Sequence, residues 1–365
     1  MTAPERERRV AIFGAFKAWG GIESTVTVLA EEFLRHRVRP IFVLLRGGAF
    51  PYPDRMPEAV GQVDLQTRGK WHAIPCIIRY LRRERPDAVL TVDAHSAEAV
   101  MLARWLGRID TPVYLKATNT LSQAVRRPNR QRLIRWLYPR ANGVIAVSRG
   151  VAEDLCEHFA IPRELVHVIY NPMFTSDMPE RLAQPVDHPW LQEGADTPVI
   201  LGVGRLCHQK AFDDLIRALA RLRERRPARL LILGEGGDRA ALEQLADELG
   251  MAEHVSLPGF VPDPLPYMAR AAVFALSSRY EGLGNVIIEA LAAGARVVST
   301  DCPSGPAEIL DGGRYGTLVP VGDIEAMADA LDHALSSPPD HDAIEAAQRF
   351  HSGSAARYLE VMKLL

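Results

Sequence analysis

Residues 277–294, SSRYEGLGNVIIEALAAG, hold the densest group of chemically useful side chains in the 365-residue sequence. The segment follows a short apolar run that reads as a strand, and its second half reads as a buried helix ending at Gly294. Gly282 and Gly284, with Leu283 between them, let a ligand approach the backbone closely, and Asn285 is a good N-cap for the helix. The amides of Gly284, Asn285 and Val286 then form an anion site fit for a diphosphate. Two carboxylates, Glu281 and Glu289, flank that site with seven residues between them. Carboxylates repel phosphate, but they accept hydrogen bonds from vicinal hydroxyls, as an acidic residue does with ribose in dinucleotide folds. A ligand with a diphosphate in the middle and a polyol at each end meets all three features, and that is a nucleotide sugar.

The elements that must position these residues form a recurring pattern of short β-branched runs, each followed by helical periodicity, which points to parallel sheets wrapped by helices. In the first half, strands are expected at 10–13, 41–45, 88–92, 113–116, 144–147 and 166–169. Residues 171–197 carry Pro172, Pro179, Pro185 and Pro189 with little periodicity, as expected of a connector. The pattern then restarts with strands at 199–203, 230–233, 255–257, 273–276, 296–299 and 317–319. The expectation is an α/β chain of two Rossmann-like, doubly wound domains, 1–175 and 176–365, with the ligand between them beyond the strand ends. The last helical stretch, 341–365, is a candidate to pack back on the first domain.

Size and composition agree. Hydrophobic residues make up 47% and charged residues 24%, as in an ordinary globular protein. No segment approaches the roughly 18 uninterrupted apolar residues that would span a bilayer. The charged N-terminus and the short run after it do not read as a signal peptide, so a cytoplasmic location is expected. Cys76, Cys156, Cys207 and Cys302 form no CxxC pair, which argues against a zinc knuckle or a disulfide framework. Net charge is only -2, yet up to residue 178 there are 26 basic against 18 acidic residues, and after it 17 against 27. That asymmetry suggests an anionic partner for the first half. Its basic residues concentrate at Arg126, Arg127, Arg130, Arg132, Arg135 and Arg140, with Leu133, Ile134 and Leu137 at helical spacing. A helix there could bury one face and present arginines to an anionic membrane, or simply to water. Nucleic acid is not indicated.

EGLGNVIIEALAAG followed by VVSTDCPSGPAEIL resembles the signature of family 4 of the retaining glycosyltransferases, which have the GT-B fold. Further along the chain, Gly204-Arg205-Leu206 with Lys210 resembles the family's basic pair after the first strand of the C-terminal domain. Gly20-Gly21-Ile22-Glu23 resembles its N-terminal glycine loop, and Val147-Ser148 with Asn171-Pro172 its interdomain landmarks. The resemblance implies that Glu281 holds sugar hydroxyls and Glu289 the ribose. Arg205 and Lys210 would neutralise the leaving diphosphate, so no metal or other cofactor is required. Phe260-Val261 after one strand would contact the base, and Gly234 and Gly236 form another tight turn beside it. Family members often place a histidine after the strand at 113–116, where this chain has Ala117-Thr118-Asn119. His95, after the preceding strand, is then the candidate to take part in the cleft. No nucleophile is implied. The expected activity is transfer of a hexose or N-acetylhexosamine, from a uridine carrier, to a glycan or lipid-linked acceptor at the inner face of a membrane.

The same residues bear on other functions. Gly14 to Gly21 is not GxGxxG and the second strand ends at Arg46 rather than an acid, which argues against a dinucleotide enzyme. A phosphorylase or epimerase on the same fold, and a non-catalytic sugar-nucleotide sensor or glycan-assembly subunit, stay open.

Overall fold

The structure, a computed structural model of the chain, describes residues 7–16, 21–45, 56–192, 194, 196–337, 342–351 and 353–365. It divides into two compact units, Met1–Pro172 with Ser352–Leu365, and Met173–His351.

The first unit holds a seven-stranded sheet of β1 (Arg8–Gly14), β2 (Val38–Leu44), β3 (Gly61–Asp64), β4 (Ala88–Thr91), β5 (Val113–Ala117), β6 (Gly143–Ala146) and β7 (Val166–Val168). Its order is β3-β2-β1-β4-β5-β6-β7, with every neighbour pair parallel. The central strands β4 and β5 are buried along their whole length, as a parallel sheet covered on both faces requires. All six expected strands are there. The seventh, β3, was not expected, because Gly61-Gln62-Val63-Asp64 has one apolar residue and no run. It is an edge strand held by its ladder to β2, from Ile41 opposite Gly61 to Leu44 opposite Asp64. Around this sheet lie α1 (Gly21–Arg35), α2 (Lys70–Glu84), α3 (Ala94–Gly107), α4 (Leu121–Ala124), α5 (Pro128–Leu137) and α6 (Arg149–Phe159).

The second unit repeats the plan with β8 (Val199–Val203), β9 (Arg229–Leu233), β10 (Val255–Gly259), β11 (Val273–Leu276), β12 (Val297–Thr300) and β13 (Thr317–Val319), ordered β10-β9-β8-β11-β12-β13. Its helices are α7 (Met178–Leu182), α8 (Phe212–Arg223), α9 (Arg239–Glu248), α10 (Leu265–Met268), α11 (Asn285–Ala292), α12 (Pro306–Ile309), α13 (Ile324–Ser336) and α14 (Ala343–Gln348). Leu215, Leu219 and Leu222 of α8 fall on one helical face and are fully buried with Ala328 and Leu331 of α13. Each such leucine contributes about 1.5–3 kcal/mol by leaving water.

The stretch 341–365, expected as one helix, is two. The chain breaks after Phe350, whose carbonyl accepts the amides of Met173 (2.9 Å) and Phe174 (3.0 Å) instead of continuing a helix. Helix α14 packs on α11 in the second unit. The last helix, α15 (Ser354–Val361), packs on α1 and puts Ala355, Tyr358 and Leu359 into the core of the first unit beside Phe33, Phe42 and Tyr114. Residues 352–365 therefore belong with the first unit, not with the second, because that is where their apolar face is covered. Among the described residues, no helix is long and apolar enough to cross a membrane.

Candidate functional site

In the second unit the strand order reverses between β8 and β11. Helices leave adjacent strands toward opposite faces at such a point, which opens a crevice at the strands' carboxyl ends. The loops there are 204–211 and 277–284, the two that carry Arg205, Lys210 and Glu281. They are laced together. Ser277 Oγ donates to Lys210 O (2.8 Å), Arg279 N donates to Gln209 O (2.8 Å), and Gln209 Nε2 donates to Tyr280 O (2.9 Å). The Arg279 guanidinium adds ion pairs to Asp213 (3.1 Å) and Asp214 (3.2 Å) in the first turn of α8. On its other side the 277–284 loop is tied to the turn after β12. Thr300 Oγ1 donates to Ser278 O (2.6 Å), Ser304 Oγ to Gly282 O (2.8 Å), and Glu281 N to Pro303 O (3.3 Å).

Glu281 is only 7% exposed, and one of its oxygens, Oε1, accepts from Lys210 Nζ (2.6 Å) and Ser278 Oγ (2.7 Å). A carboxylate so buried needs both the cation and the hydroxyl. Its Oε2 makes no hydrogen bond with the described residues and keeps acceptor capacity for a ligand hydroxyl. The neighbouring Cys302 thiol is pushed up to about 12, first by burial and then by the Glu281 charge, so it stays protonated and is no nucleophile. Arg205 is exposed and makes no hydrogen bond or ion pair with the described residues. Its neighbour Gly204 packs against the Lys210 stem, where an added Cβ would lie 2.9 Å from Cε.

Helix α11 starts at Asn285, so the cap is Gly284, in the left-handed region at φ 91°. The expectation of Asn285 as N-cap is corrected. A side chain is disfavoured at that φ, glycine takes the cap, and Asn285 becomes the first helical residue. Ile287 N donates back to Gly284 O (2.8 Å), which closes the first turn. Leu283 is buried, Val286 is half-buried, and Glu289 stands half-buried one turn into the helix.

Gly234 and Gly236 form the expected tight turn and give close approach to the chain's own backbone. A Cβ on Gly234 would lie 1.9 Å from Gly204 O, and one on Gly236 2.1 Å from Leu206 O. Leu206 N donates to Glu235 O (3.0 Å) and Asp238 N to Leu206 O (3.1 Å), so these glycines let the loop after β9 clamp the loop that bears Arg205. After β10, Phe260 is 40% exposed and Val261 is half-buried.

Sequence reasoning missed one group beside this site. Arg181 of α7 forms a two-pronged ion pair with Asp263, Nε to Oδ2 at 2.7 Å and Nη2 to Oδ1 at 3.0 Å. It lies in the proline-rich connector, where nothing in the local pattern signals a partner 82 residues away.

The remaining candidates belong to the first unit. Gly20 lies outside the described residues, and Gly21 opens α1, its carbonyl accepting Thr25 Oγ1 (2.6 Å). His95 is exposed in the first turn of α3. Its amide donates to Asp93 Oδ1 (2.8 Å), and its Nδ1 lies 2.9 Å from Arg130 Nη2. Asp93 Oδ2 also accepts the amide of Ala15 after β1 (2.9 Å). In the arginine segment Ile134 and Leu137 are buried on one face, as their spacing predicts. The arginines are less uniformly presented than expected. Arg130 is spent on Glu98 (2.6 Å), Arg135 donates to His158 O (2.7 Å), and Arg140 stacks on Trp136 with 4.7 Å between guanidinium and ring centre. Arg126, Arg127 and Arg132 are exposed.

Comparison with known proteins follows the same division. The family model for Glycosyltransferase Family 4 matches residues 19–176, and that for Glycosyl transferases group 1 matches residues 197–337. The N-acetylgalactosamine-N,N'-diacetylbacillosaminyl-diphospho-undecaprenol 4-alpha-N-acetylgalactosaminyltransferase of Campylobacter jejuni is 33% identical over 64% of this chain. The match spans 60% of that relative's length. The lipopolysaccharide 1,6-galactosyltransferase of Escherichia coli is 25% identical over 90% of this chain and 89% of its own. The crystal structure of Anabaena HepE in complex with UDP and glucose superposes with a TM-score of 0.81 at 22% identity, covering 98% of this chain and 100% of that one. That likeness establishes the fold as GT-B, and the two family models, matching residues 19–176 and 197–337, make the chain a member of the family 4 glycosyltransferases.

Proposed function

We propose that the chain is a retaining glycosyltransferase that moves a hexose or N-acetylhexosamine from a nucleoside-diphosphate sugar, with UDP as the carrier, to a glycan or lipid-linked acceptor. The observation that carries this reading is the buried Lys210–Glu281 pair beside Arg205 at the β8/β11 switch point, with the start of α11 following in the same loop. Breaking the bond from the anomeric carbon to the diphosphate leaves charge on a phosphate oxygen. Arg205, the remaining protons of the Lys210 ammonium and the first amides of α11 would stabilise that charge without reorganising. Glu281 Oε2 would take a sugar hydroxyl, Glu289 the ribose, and Phe260-Val261 the base. Binding of UDP and glucose by HepE, and the undecaprenol-linked acceptor in the name of the Campylobacter relative, support the donor and acceptor classes. The expected result of incubation with a panel of nucleotide sugars is release of nucleotide from at least one, without phosphate. It should come with roughly 2–3 kcal/mol of stabilisation at a hundredfold excess over Kd. Stabilisation without turnover would favour a sensor, and turnover that requires phosphate a phosphorylase.

The reading includes contact with an anionic membrane through the arginine segment. Exposed Arg126, Arg127 and Arg132 support it, as does the pair Trp105 and Trp136, whose rings meet edge to face at 5.2 Å with Arg140 over Trp136. Indoles flanked by arginines suit the headgroup layer. Sedimentation with anionic vesicles should be strong at low salt and fall as the screening length shortens from about 30 Å at 0.01 M to about 3 Å at 1 M. Binding indifferent to salt and lipid charge would contradict it.

A further inference from the structure

Helix α7 is a five-residue element in the connector, yet Arg181 within it is deeply placed, its side chain only 20% exposed. Its fork holds both oxygens of Asp263, while Nη1 lies 3.6 Å from Asp177, the N-cap of its own helix. Asp263 Oδ1 also accepts the amide of Leu265 (3.2 Å), so one carboxylate fixes the start of α10 and is itself fixed by Arg181. Helix α10 packs against both α7 and α11, the helix that carries Glu289. Burial opposes charge on the guanidinium. Hydrogen bonding to Asp263 and the charges of Asp263, Asp177 and Glu289 together hold its pKa above the ordinary value. The Arg181–Asp263 fork thus holds α10, and α10 in turn packs on the helix that carries Glu289.

We propose that Arg181 is a positioning residue for the donor's ribose: through Asp263 it locks the turn after Phe260-Val261 and the start of α10, and so steadies the neighbouring α11, whose Glu289 meets the ribose hydroxyls. This rests on Glu289 being the ribose acceptor. A two-pronged ion pair fixes direction as well as distance, and a carboxylate that binds hydroxyls must be held to within about 0.5 Å of its productive position. Lysine in place of arginine would keep the charge but not the fork.

The test compares binding of UDP and GDP with that of their 2′,3′-dideoxy counterparts, using the nucleotide that binds more tightly, in the wild-type chain and in Arg181→Met, Arg181→Lys and Glu289→Gln. In the wild type, loss of the hydroxyls should weaken binding on the order of tenfold to a hundredfold, the effect of hydrogen bonds to a charged group. Glu289→Gln should remove most of that difference. Arg181→Met should weaken the ribonucleotide about tenfold and the dideoxy form little, narrowing the gap by about tenfold. Arg181→Lys should fall between, at an unchanged thermal midpoint. Equal weakening of both nucleotides by Arg181→Met, or by Arg181→Lys if the methionine variant fails to fold, overturns the proposal and leaves Glu289 in place. A wild type indifferent to the hydroxyls, a gap that survives Glu289→Gln, or no binding of either nucleotide, overturns the ribose reading itself.

Discussion

Lys210→Met is expected to lower kcat by about two to three orders of magnitude, the loss typical when one fixed donor to a developing oxyanion is removed. The same substitution leaves Glu281, 7% exposed, without its cation, and breaking a buried pair from one side costs about 3 kcal/mol. Two consequences of one change can be separated by a cycle. Glu281→Gln removes the buried charge, and Lys210→Met with Glu281→Gln removes both charges, so the double variant should recover most of the stability lost in Lys210→Met. It should recover none of the activity. Steady-state kinetics beside urea unfolding of all four proteins reads both quantities. Activity that returns with stability in the double variant would reduce Lys210 to a structural partner of Glu281.

The second large effect is on stability and concerns the first unit. Lys116 stands at the carboxyl end of β5, 3% exposed, with its ammonium 5.7 Å from the centre of the Tyr358 ring on α15. Burial alone drives its pKa from 10.5 down to about 7, with no carboxylate to oppose the shift. Because the unfolded chain keeps the higher value, unfolding takes up a proton between pH 7 and 10.5. Stability therefore rises with pH across that window, at about 1.4 kcal/mol per pH unit, and is lowest and flat below pH 7. The cation–π contact with Tyr358 offsets part of the cost, by about 2 kcal/mol when desolvated. Lys116→Met should accordingly stabilise the unit by roughly 2–3 kcal/mol at pH 7. The gain should shrink toward pH 10, where the wild-type side chain is already neutral in the fold. Urea midpoints at pH 7 and pH 9.5 check both sign and slope, and a gain independent of pH would assign the effect to packing.

What could be seen in the residues beforehand divides by distance along the chain. Apolar runs announced twelve strands, because a buried parallel strand must be apolar on both faces. Strand β3 had no run to announce it, since an edge strand is held by its backbone ladder to β2 rather than by burial of its side chains. Glu281 and Glu289 were legible because both sit in one short loop-and-helix segment after β11. The pairing of Glu281 with Lys210 joins residues 71 apart and the Arg181–Asp263 fork joins residues 82 apart, and no local pattern encodes either. Gly234 and Gly236 were visible as a turn, but what they yield space to, the backbone of Gly204 and Leu206, belongs to another strand's loop. The break between α14 and α15 depends on Phe350 giving its carbonyl to Met173 and Phe174, a long-range choice that helical periodicity does not contain.

The central claim is that one crevice, at the β8/β11 switch point, grips a nucleoside diphosphate from both sides. A crystal structure of the protein with bound UDP measures this directly. The diphosphate oxygens should lie about 3 Å from the amides at the start of α11 and from the Arg205 guanidinium, with the ribose hydroxyls on Glu289. UDP bound elsewhere, or bound there with Glu289 turned away from the ribose and Arg205 still in solvent, would contradict it.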